Sequence, residues 1–384
     1  MMGNAPFSIG VEEEYLLVDP KTRQLASDTT LQEGVIEQVQ AEIDESIGFA
    51  TPEFLKAQVE VGTAVCGSVA DVHDKLLKLR SAVVRAARAH GLAPIAASTH
   101  PTANWQKLQH TDKERYNALA NDLRGVAQRL VICGMHVHVG IGDNDSRIDL
   151  LNQVAYFLPH LLALSTSSPF WRGRNTGLLT YPIAVFDELP RTGLPEHFES
   201  WSEYERHLNV LTKAGVIEDG SKLWWDIRPH CKFPTLEMRI ADVCTRLEDG
   251  IAVAAVYACL LSMLQRLRRK NQRWRTYANM LIMENRWRAQ RYGLKRGLID
   301  FGLGEIVDYD ELLEEIIELT REDQERLGCV EQVAHARDIV KRGTSAHNQI
   351  AAYETALAAG RPEEDALEAV VDWLVQETVQ GVPV

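Results

Sequence analysis

Three short runs break the usual separation of hydrophobic from polar residues along this chain. They are Gly10-Val11-Glu12-Glu13-Glu14-Tyr15, Gly134-Met135-His136-Val137-His138-Val139-Gly140 and Thr235-Leu236-Glu237-Met238-Arg239-Ile240. Each places two polar groups two residues apart inside an apolar, β-prone stretch. Side chains alternate between the two faces of a strand. Glu12 with Glu14, His136 with His138, and Glu237 with Arg239 therefore each share a face. An unpaired carboxylate in a core costs several kcal/mol, so a sheet face carrying such pairs predicts a metal and phosphate site rather than a packing surface.

The same alternation predicts strands over 7–18, 56–65, 92–98, 131–141, 223–228 and 235–241. Helical spacing predicts helices over 29–43, 112–130, 146–165 and 200–213. Ser68 and Asp71 form a capping-box pattern ahead of a further helix, with Val69, Val72, Leu76, Leu79 and Val83 on one face and Gly91 at its end. From 249 to 380 the pattern predicts four or five helices. Residues 171–192 are rich in Gly, Pro and Arg and predict a long functional loop. Strands and helices do not alternate regularly, which disfavours a (β/α)₈ barrel or a doubly wound sheet. The expectation is an α+β fold: one domain over 1–384, with an antiparallel sheet and a helical C-terminal portion at 305–384.

Composition narrows the classes. With 384 residues, 45% hydrophobic and 25% charged, the chain reads as globular. A net charge of −13 argues against a nucleic-acid or anionic-membrane partner. The six cysteines are scattered without a CxxC pair, which fits a reducing cytoplasm better than a disulfide framework. Glu12 to Glu14 come too early for the apolar stretch of a signal peptide. The longest apolar run, Ile251 to Leu264, is shorter than the ~20 residues of a membrane span and predicts a buried helix. A subunit interface fits that run equally, so a homo-oligomer stays open.

Each candidate has a plainer reading beside the chemical one. Glu12 and Glu14 are metal ligands or a solvated strand edge, since apolar residues occupy both faces of their strand. Glu60, alone in Gln58-Val59-Glu60-Val61, is ambiguous. His136 and His138 suit a divalent metal, or are core histidines satisfied by carbonyls. Arg239 holds phosphate, or neutralises Glu237 internally. Arg228 stands two residues from Asp226 with the same ambiguity. Arg172, Arg174 and Arg191 meet substrate or water. Asn285, Arg288 and Tyr292 lie near one face of a basic helix, where they meet nucleotide phosphates or solvent. A Walker A loop, a dinucleotide fingerprint and a GxSxG elbow are all missing from the sequence.

Taken in order, several runs resemble the carboxylate-amine ligase family described as glutamate–cysteine ligase type 2. They are GVEEEY at 10–15, EVGTAVC at 60–66, Thr99-His100-Pro101, Glu114-Arg115-Tyr116, GMHVHVG at 134–140, WWDIRP at 224–229, TLEMRIAD at 235–242 and ENRWRAQRYGL at 284–294. The resemblance implies a glutamine-synthetase-like catalytic saddle binding ATP with Mg²⁺ or Mn²⁺. It implies metal-binding carboxylates at Glu12, Glu14, Glu60 and Glu237, a histidine ligand at His136, and an active-site arginine at Arg239. His138 joins the metal set through the HxH spacing. Arg228 is expected to hold phosphate or the acid substrate, and Asn285 and Arg288 to meet nucleotide.

The implied reaction joins an acid to an amine through an acyl phosphate and releases ADP. Its substrates are small molecules, glutamate and cysteine in the family's assigned activity, at full or reduced strength here. One departure concerns the acid: Tyr181 precedes Pro182 where family members commonly carry arginine. Two alternatives are a metal-dependent amide hydrolase and a non-catalytic nucleotide- or metal-binding protein.

Overall fold

The computed structural model describes residues 7–26, 29–53, 55–103 and 132–383. The helix expected at 112–130 and the Glu114-Arg115-Tyr116 run lie outside the described residues. The central sheet has seven antiparallel strands: β1 (Ile9–Val18), β2 (Gly48–Pro52), β3 (Gln58–Thr63), β4 (Ala93–Ile95), β5 (Met135–Gly140), β10 (Ile227–Pro229) and β11 (Thr235–Met238). Their order is β10-β11-β5-β1-β3-β2, with β4 beside the second half of β1. Among the described residues, three two-stranded ribbons lie outside it: β6 (Phe170–Trp171) with β7 (Arg174–Asn175), β8 (Thr192–Gly193) with β9 (Trp224–Trp225), and β12 (Leu298–Asp300) with β13 (Glu305–Val307).

Alternation sorts the central strands into two faces. Val11, Tyr15, Val59, Val61, Met135, Val137, Val139, Leu236 and Met238 are buried and belong to one face. Helices α1 (Thr29–Glu42) and α2 (Val69–Ala89) precede the HxH strand β5, and α3 (Asn144–Val154) and α4 (Leu158–Ser165) come after it. The hydroxyl of Ser68 caps α2 by accepting from the amide of Asp71 at 3.1 Å. The five apolar residues expected on its inner face are all buried. A short helix, α5 (Pro182–Phe186), interrupts the Gly- and Pro-rich region, and α6 (Trp201–Lys213) occupies the span expected at 200–213.

The apolar run at 251–264 sits inside α7 (Leu247–Arg269), which is long and apolar enough to cross a membrane but is buried within the protein. After it come α8 (Asn279–Tyr292), α9 (Tyr309–Leu319), α10 (Arg321–Leu327), α11 (Val330–Arg342), α12 (Ser345–Ala358) and α13 (Glu363–Thr378). The helices outnumber the four or five expected because short breaks at Thr320, Gly328 and Gly343 interrupt runs that read continuously by composition. The ribbon β12–β13 is likewise absent from the expected elements. It depends on pairing across a tight connection rather than on alternation within either strand.

One ion pair fixes which face is which. Glu13 is fully buried on the helix side of β1 and accepts from Arg80 of α2 at 2.8 and 2.9 Å. The Tyr15 hydroxyl also donates to Glu13. The same guanidinium donates to the carbonyls of Thr245 at 2.7 Å and Cys244 at 3.1 Å. Segments distant in sequence meet at this group. Deleting one partner of a buried pair leaves an uncompensated charge, at a cost of roughly 3–5 kcal/mol. Arg80→Met is expected to lower unfolding stability by about that much in urea, and the double variant Arg80→Met, Glu13→Leu to regain most of it.

His100 contributes a pH dependence. Its Nε2 lies 2.9 Å from the carbonyl of Arg23, and its Nδ1 accepts from the amide of Thr102 at 3.2 Å. Both nitrogens are satisfied in the neutral ring, and a second proton would face that amide. Burial holds His100 down at about 4, against 6.5 for the free side chain. Between those values the unfolded chain binds a proton that the folded chain refuses. The contribution is complete above pH 6.5 and is lost as pH falls through 4, amounting to about 3 kcal/mol. Unfolding free energies of wild type and His100→Asn between pH 7 and 4 are expected to show a shallower slope in the variant.

Candidate active site

The outer face of the sheet gathers the polar pairs by direct cross-strand register. Glu14 lies opposite Glu60, Glu12 opposite His136, and Glu237 opposite both His138 and Arg228. Antiparallel partners in register stand about 4.5–5.5 Å apart, so residues far apart in sequence become neighbours. Of the expected site residues, Glu12, Glu14, Glu60, His136, His138, Glu237, Arg228 and Arg239 come together here.

The face has two electrostatic regimes. In the first, carboxylates are answered by cations or imidazoles. His136 Nδ1 is 3.1 Å from Glu12 Oε2 and His138 Nε2 is 3.5 Å from Glu12 Oε1. Burial pushes Glu12 up, but its contacts with His136 and His138 outweigh this and hold it well below the usual carboxylate range. Glu237 is buried too, and there Arg239 and then Arg228 overcome desolvation and keep the carboxyl strongly acidic. Arg239 reaches Glu237 Oε1 at 2.5 Å. Burial, then the charge of Arg239, keeps His136 below its ordinary value, favouring the neutral ring.

In the second regime, carboxylates are crowded. One oxygen from each of Glu14, Glu53 and Glu60 lies within 4.8 Å of the others. Burial comes first and Glu53 second in raising both Glu14 and Glu60 well above the carboxylate range. The amide of Gly134 donates to Glu14 at 3.0 Å and offsets this in part.

Glu53 is absent from the residues that alternation singles out. It lies just past β2, whose Thr51 pairs with Glu60, so a residue two positions on shares that face. That placement depends on the β2–β3 register, and no polar pair inside a strand announces it.

The donors fit a divalent cation. Nε2 of His138 is buried and has no hydrogen-bond partner among the described residues, while its Nδ1 is 3.3 Å from the Thr235 hydroxyl. This Nε2 nitrogen, which faces Glu12 without a hydrogen bond, and the three carboxylates clustered at Glu14 further along β1 offer nitrogen and oxygen ligands suited to Mg²⁺ or Mn²⁺.

Three expected residues stand differently. Arg228 donates to Glu237 at 2.8 and 3.2 Å and to the carbonyls of Ser221 and Leu223 at 2.9 Å each, so it braces Glu237. Asn285 exchanges hydrogen bonds with the backbone of Ile299 at 2.7 and 2.8 Å, and Arg288 donates to the carbonyls of Gly297 and Arg296. Those two are engaged by the β12 region and are not brought to the sheet face, because their side of α8 packs against that ribbon. The neighbouring Arg286 turns inward instead. It chelates Asp226 at 2.7 and 3.2 Å and Asp187 at 2.9 and 3.0 Å.

In the long loop, Arg172 and Arg174 sit on the β6–β7 ribbon, and Arg191 lies over the Trp224 ring while donating to the Lys222 carbonyl. Tyr181 stacks on Trp171, with ring centroids 4.9 Å apart. Asp242, the last residue of the TLEMRIAD run, accepts from the Ser167 amide and the Ser168 hydroxyl at 2.7 Å and from the Thr180 hydroxyl at 2.8 Å. Burial pushes it up to about 6.

This order of motifs on this sheet has counterparts elsewhere. The family model of glutamate-cysteine ligase family 2 matches residues 8–372. The chain belongs to that family. It is 59% identical over 379 residues to a protein of Rhodospirillum rubrum, covering 98% of this chain and 97% of that one. A relative from Jannaschia is 52% identical over 371 residues, covering 97% and 96%. Both bear the name "Putative glutamate--cysteine ligase 2".

Among solved structures, a glutamate–cysteine ligase of Francisella tularensis in complex with AMP matches with a TM-score of 0.64 at 16% identity, covering 99% of this chain and 93% of that one. A bifunctional glutathione synthetase of Pasteurella multocida matches at 0.65 and 13%, covering 97% and 53%. These likenesses make the fold glutamine-synthetase-like, α+β with an antiparallel sheet.

A cation entering the crowded carboxylates would relieve their repulsion. Millimolar Mg²⁺ or Mn²⁺ is expected to raise the melting temperature of the wild type, with chelator reversing the rise. Glu60→Gln is expected to lose that increment while being no less stable than wild type without metal, as differential scanning calorimetry would read.

Proposed function

We propose that this protein is an ATP-dependent carboxylate–amine ligase of the glutamate–cysteine type, working through an acyl phosphate and releasing ADP. The observation that carries the reading is the convergence of Glu12, Glu14, Glu53, Glu60, His136, His138, Glu237 and Arg239 on one sheet face in a chain of this family. An amide cannot be made from a free carboxylate and an amine in water without activating the acyl group. Attack of the acid's carboxylate oxygen on the γ-phosphoryl of ATP supplies that activation. The amine then adds to the acyl carbon, phosphate leaves, and the amine's proton passes to solvent or a nearby base.

Phosphoryl transfer asks the protein mainly for positioning and charge neutralisation. Glu12, Glu14, Glu53, Glu60, His136, His138 and Glu237 would hold Mg²⁺ or Mn²⁺, which neutralises phosphate charge when bound. Arg239 would meet the transferring group, its side chain held by Glu237. Arg228, with four donor contacts to Glu237 and to carbonyls, would orient Glu237 rather than touch substrate. Burial of His136 and its neighbour Arg239 keep the ring neutral, the form a metal needs. A cytoplasm with ATP and reduced thiols would suit this chemistry, and all six cysteines are free.

The amide-hydrolase alternative would need a barrel of parallel strands, and the sheet is antiparallel. ADP release with Mg²⁺-ATP across a panel of acids and amines tests the ligase reading, and dependence on both an acid and an amine is expected. Glu237→Gln is expected to lower that rate at least a hundredfold while keeping a cooperative thermal transition. Retained turnover with normal metal dependence would remove Glu237 from the site.

A further inference from the structure

The strand that carries Glu237 and Arg239 does not run on regularly. Alternation predicts a strand over 235–241, yet β11 stops at Met238. On one side Ile227 pairs with Met238. Beyond that pair the amides of Arg239 at 2.8 Å and Ile240 at 3.1 Å share one acceptor, the Asp226 carbonyl. On the other side Met238 pairs with Val137, while the amide of Met135 donates to the Ala241 carbonyl at 3.1 Å. Three steps on this strand therefore match two on β5. Two amides against one carbonyl, with one extra residue, make a β-bulge, which re-aims a side chain. Here that side chain is Arg239, which reaches Glu237 Oε1 at 2.5 Å and stands 3.5 Å from His136 Nδ1.

The residue opposite the bulge is Asp226, at the bend between β9 and β10. Its carboxylate is buried, and an isolated buried carboxylate is costly. Arg286 supplies the partner, at 2.7 and 3.2 Å, and the same guanidinium holds Asp187 at 2.9 and 3.0 Å. Arg286 is itself buried and projects from a braced helix. Asn285 and Arg288 tie α8 to the β12 region through the backbone of Ile299, Gly297 and Arg296.

We infer that Arg286 is the positioning residue of Arg239: it pins Asp226, whose carbonyl sets the bulge that turns Arg239 towards the transferring phosphoryl group. What Arg239 meets rests on the ligase reading; how Arg239 is held rests on these hydrogen bonds alone. A planar fork gripping two carboxylates is not replaced by lysine, a point charge on a flexible stem. Neutralisation of Asp226 would survive that substitution, whereas alignment would not. Displacing a transition-state group by about 1 Å can cost roughly a hundredfold in rate. The loss falls on kcat where substrate binding is untouched.

The test compares full-length wild type, Arg286→Lys, Asp226→Asn and Asp187→Asn by hydrogen exchange at single amides and by ADP release. In Arg286→Lys the amides of Arg239 and Ile240 are expected to exchange about tenfold faster, with the slow amides of β1 and β5 unchanged. With the acid and amine that wild type turns over, kcat is expected to fall about thirtyfold and the KM for ATP to stay within about threefold. Asp187→Asn loses an exposed partner and is expected to match wild type within about threefold on both readings. An equal loss in Asp187→Asn overturns the route through Asp226. Exchange that is unmoved at the two amides, or that rises equally across the sheet, overturns the inference, because Arg286 would then only support the fold. Loosened amides with wild-type kcat also overturn it. Should Arg286→Lys fail to fold, Asp226→Asn decides by the same readings, since it keeps the shape and removes the charge that Arg286 grips. If wild type releases no ADP with any acid and amine, the ligase reading ends and the two amides decide alone. Faster exchange confined to them supports the hold of Arg286 on Arg239, and no change overturns it.

Discussion

The buried pair of Glu13 and Arg80 is the constraint on which the polar outer face of the sheet depends. Strand side chains have a period of two, so a slip of one residue would bury Glu12 and Glu14 and expose Glu13. Arg80 makes that slip costly, because its guanidinium is buried on the helix side and needs the one carboxylate of β1 that points there. The same group holds the carbonyls of Cys244 and Thr245, just beyond the segment that carries Arg239 and Asp242. One residue of α2 therefore aligns the start of the chain with a segment more than 200 residues later. Orientation of the candidate site residues is settled from behind the sheet.

With the register fixed, the outer face divides its charges unevenly. Glu12 and Glu237 are stabilised as anions by histidines and arginines already in place, whereas Glu14 and Glu60, crowded by Glu53, resist ionising. A face built for stability alone would not leave this cluster, since each buried like charge opposes folding. The extensive apolar core around α7 and the helix side of the sheet supplies the offsetting stability. The crowded half is thus the part that gains most from a cation, while the paired half is organised without one.

Legibility in the sequence tracks the range of the interaction. Alternation within a strand is local, so it assigns Glu12 with Glu14, His136 with His138, and Glu237 with Arg239 to shared faces without any knowledge of the fold. Glu13 is ambiguous on that basis because both faces of its strand carry apolar residues. Its role depends on Arg80, an arginine hidden among the apolar positions of α2. Glu53 depends on pairing between β2 and β3, and β2 itself is too short to announce. On α8 the helical spacing of Asn285, Arg288 and Tyr292 is real, but the ribbon β12–β13 engages Asn285 and Arg288. Arg286 escapes a reading by spacing because its two acidic partners come from the distant positions 187 and 226. Each miss is a contact between elements, which periodicity within one element does not encode.

Asp226 ties the β8–β9 ribbon to the outer face of the sheet. Its side chain is held by Arg286 of α8, and its carbonyl accepts the amides of Arg239 at 2.8 Å and Ile240 at 3.1 Å. Its own amide donates to the carbonyl of Gly193 at 2.8 Å. This residue therefore sits where β9 gives way to β10, and it stops the strand from running straight through Trp225 to Ile227. The break separates Trp225 from the central sheet while the backbone of Arg239 is fixed from the same point. A shift of the backbone at Asp226 would consequently disturb the β8–β9 ribbon and the placement of Arg239 at once, because both hang on one peptide unit. Helix α5 is different: Ile183 and Phe186 belong to a short helix whose backbone, among the described residues, makes no hydrogen bond to that of Arg239. Substitution there can therefore proceed without breaking the hydrogen bonds that fix the backbone of Arg239.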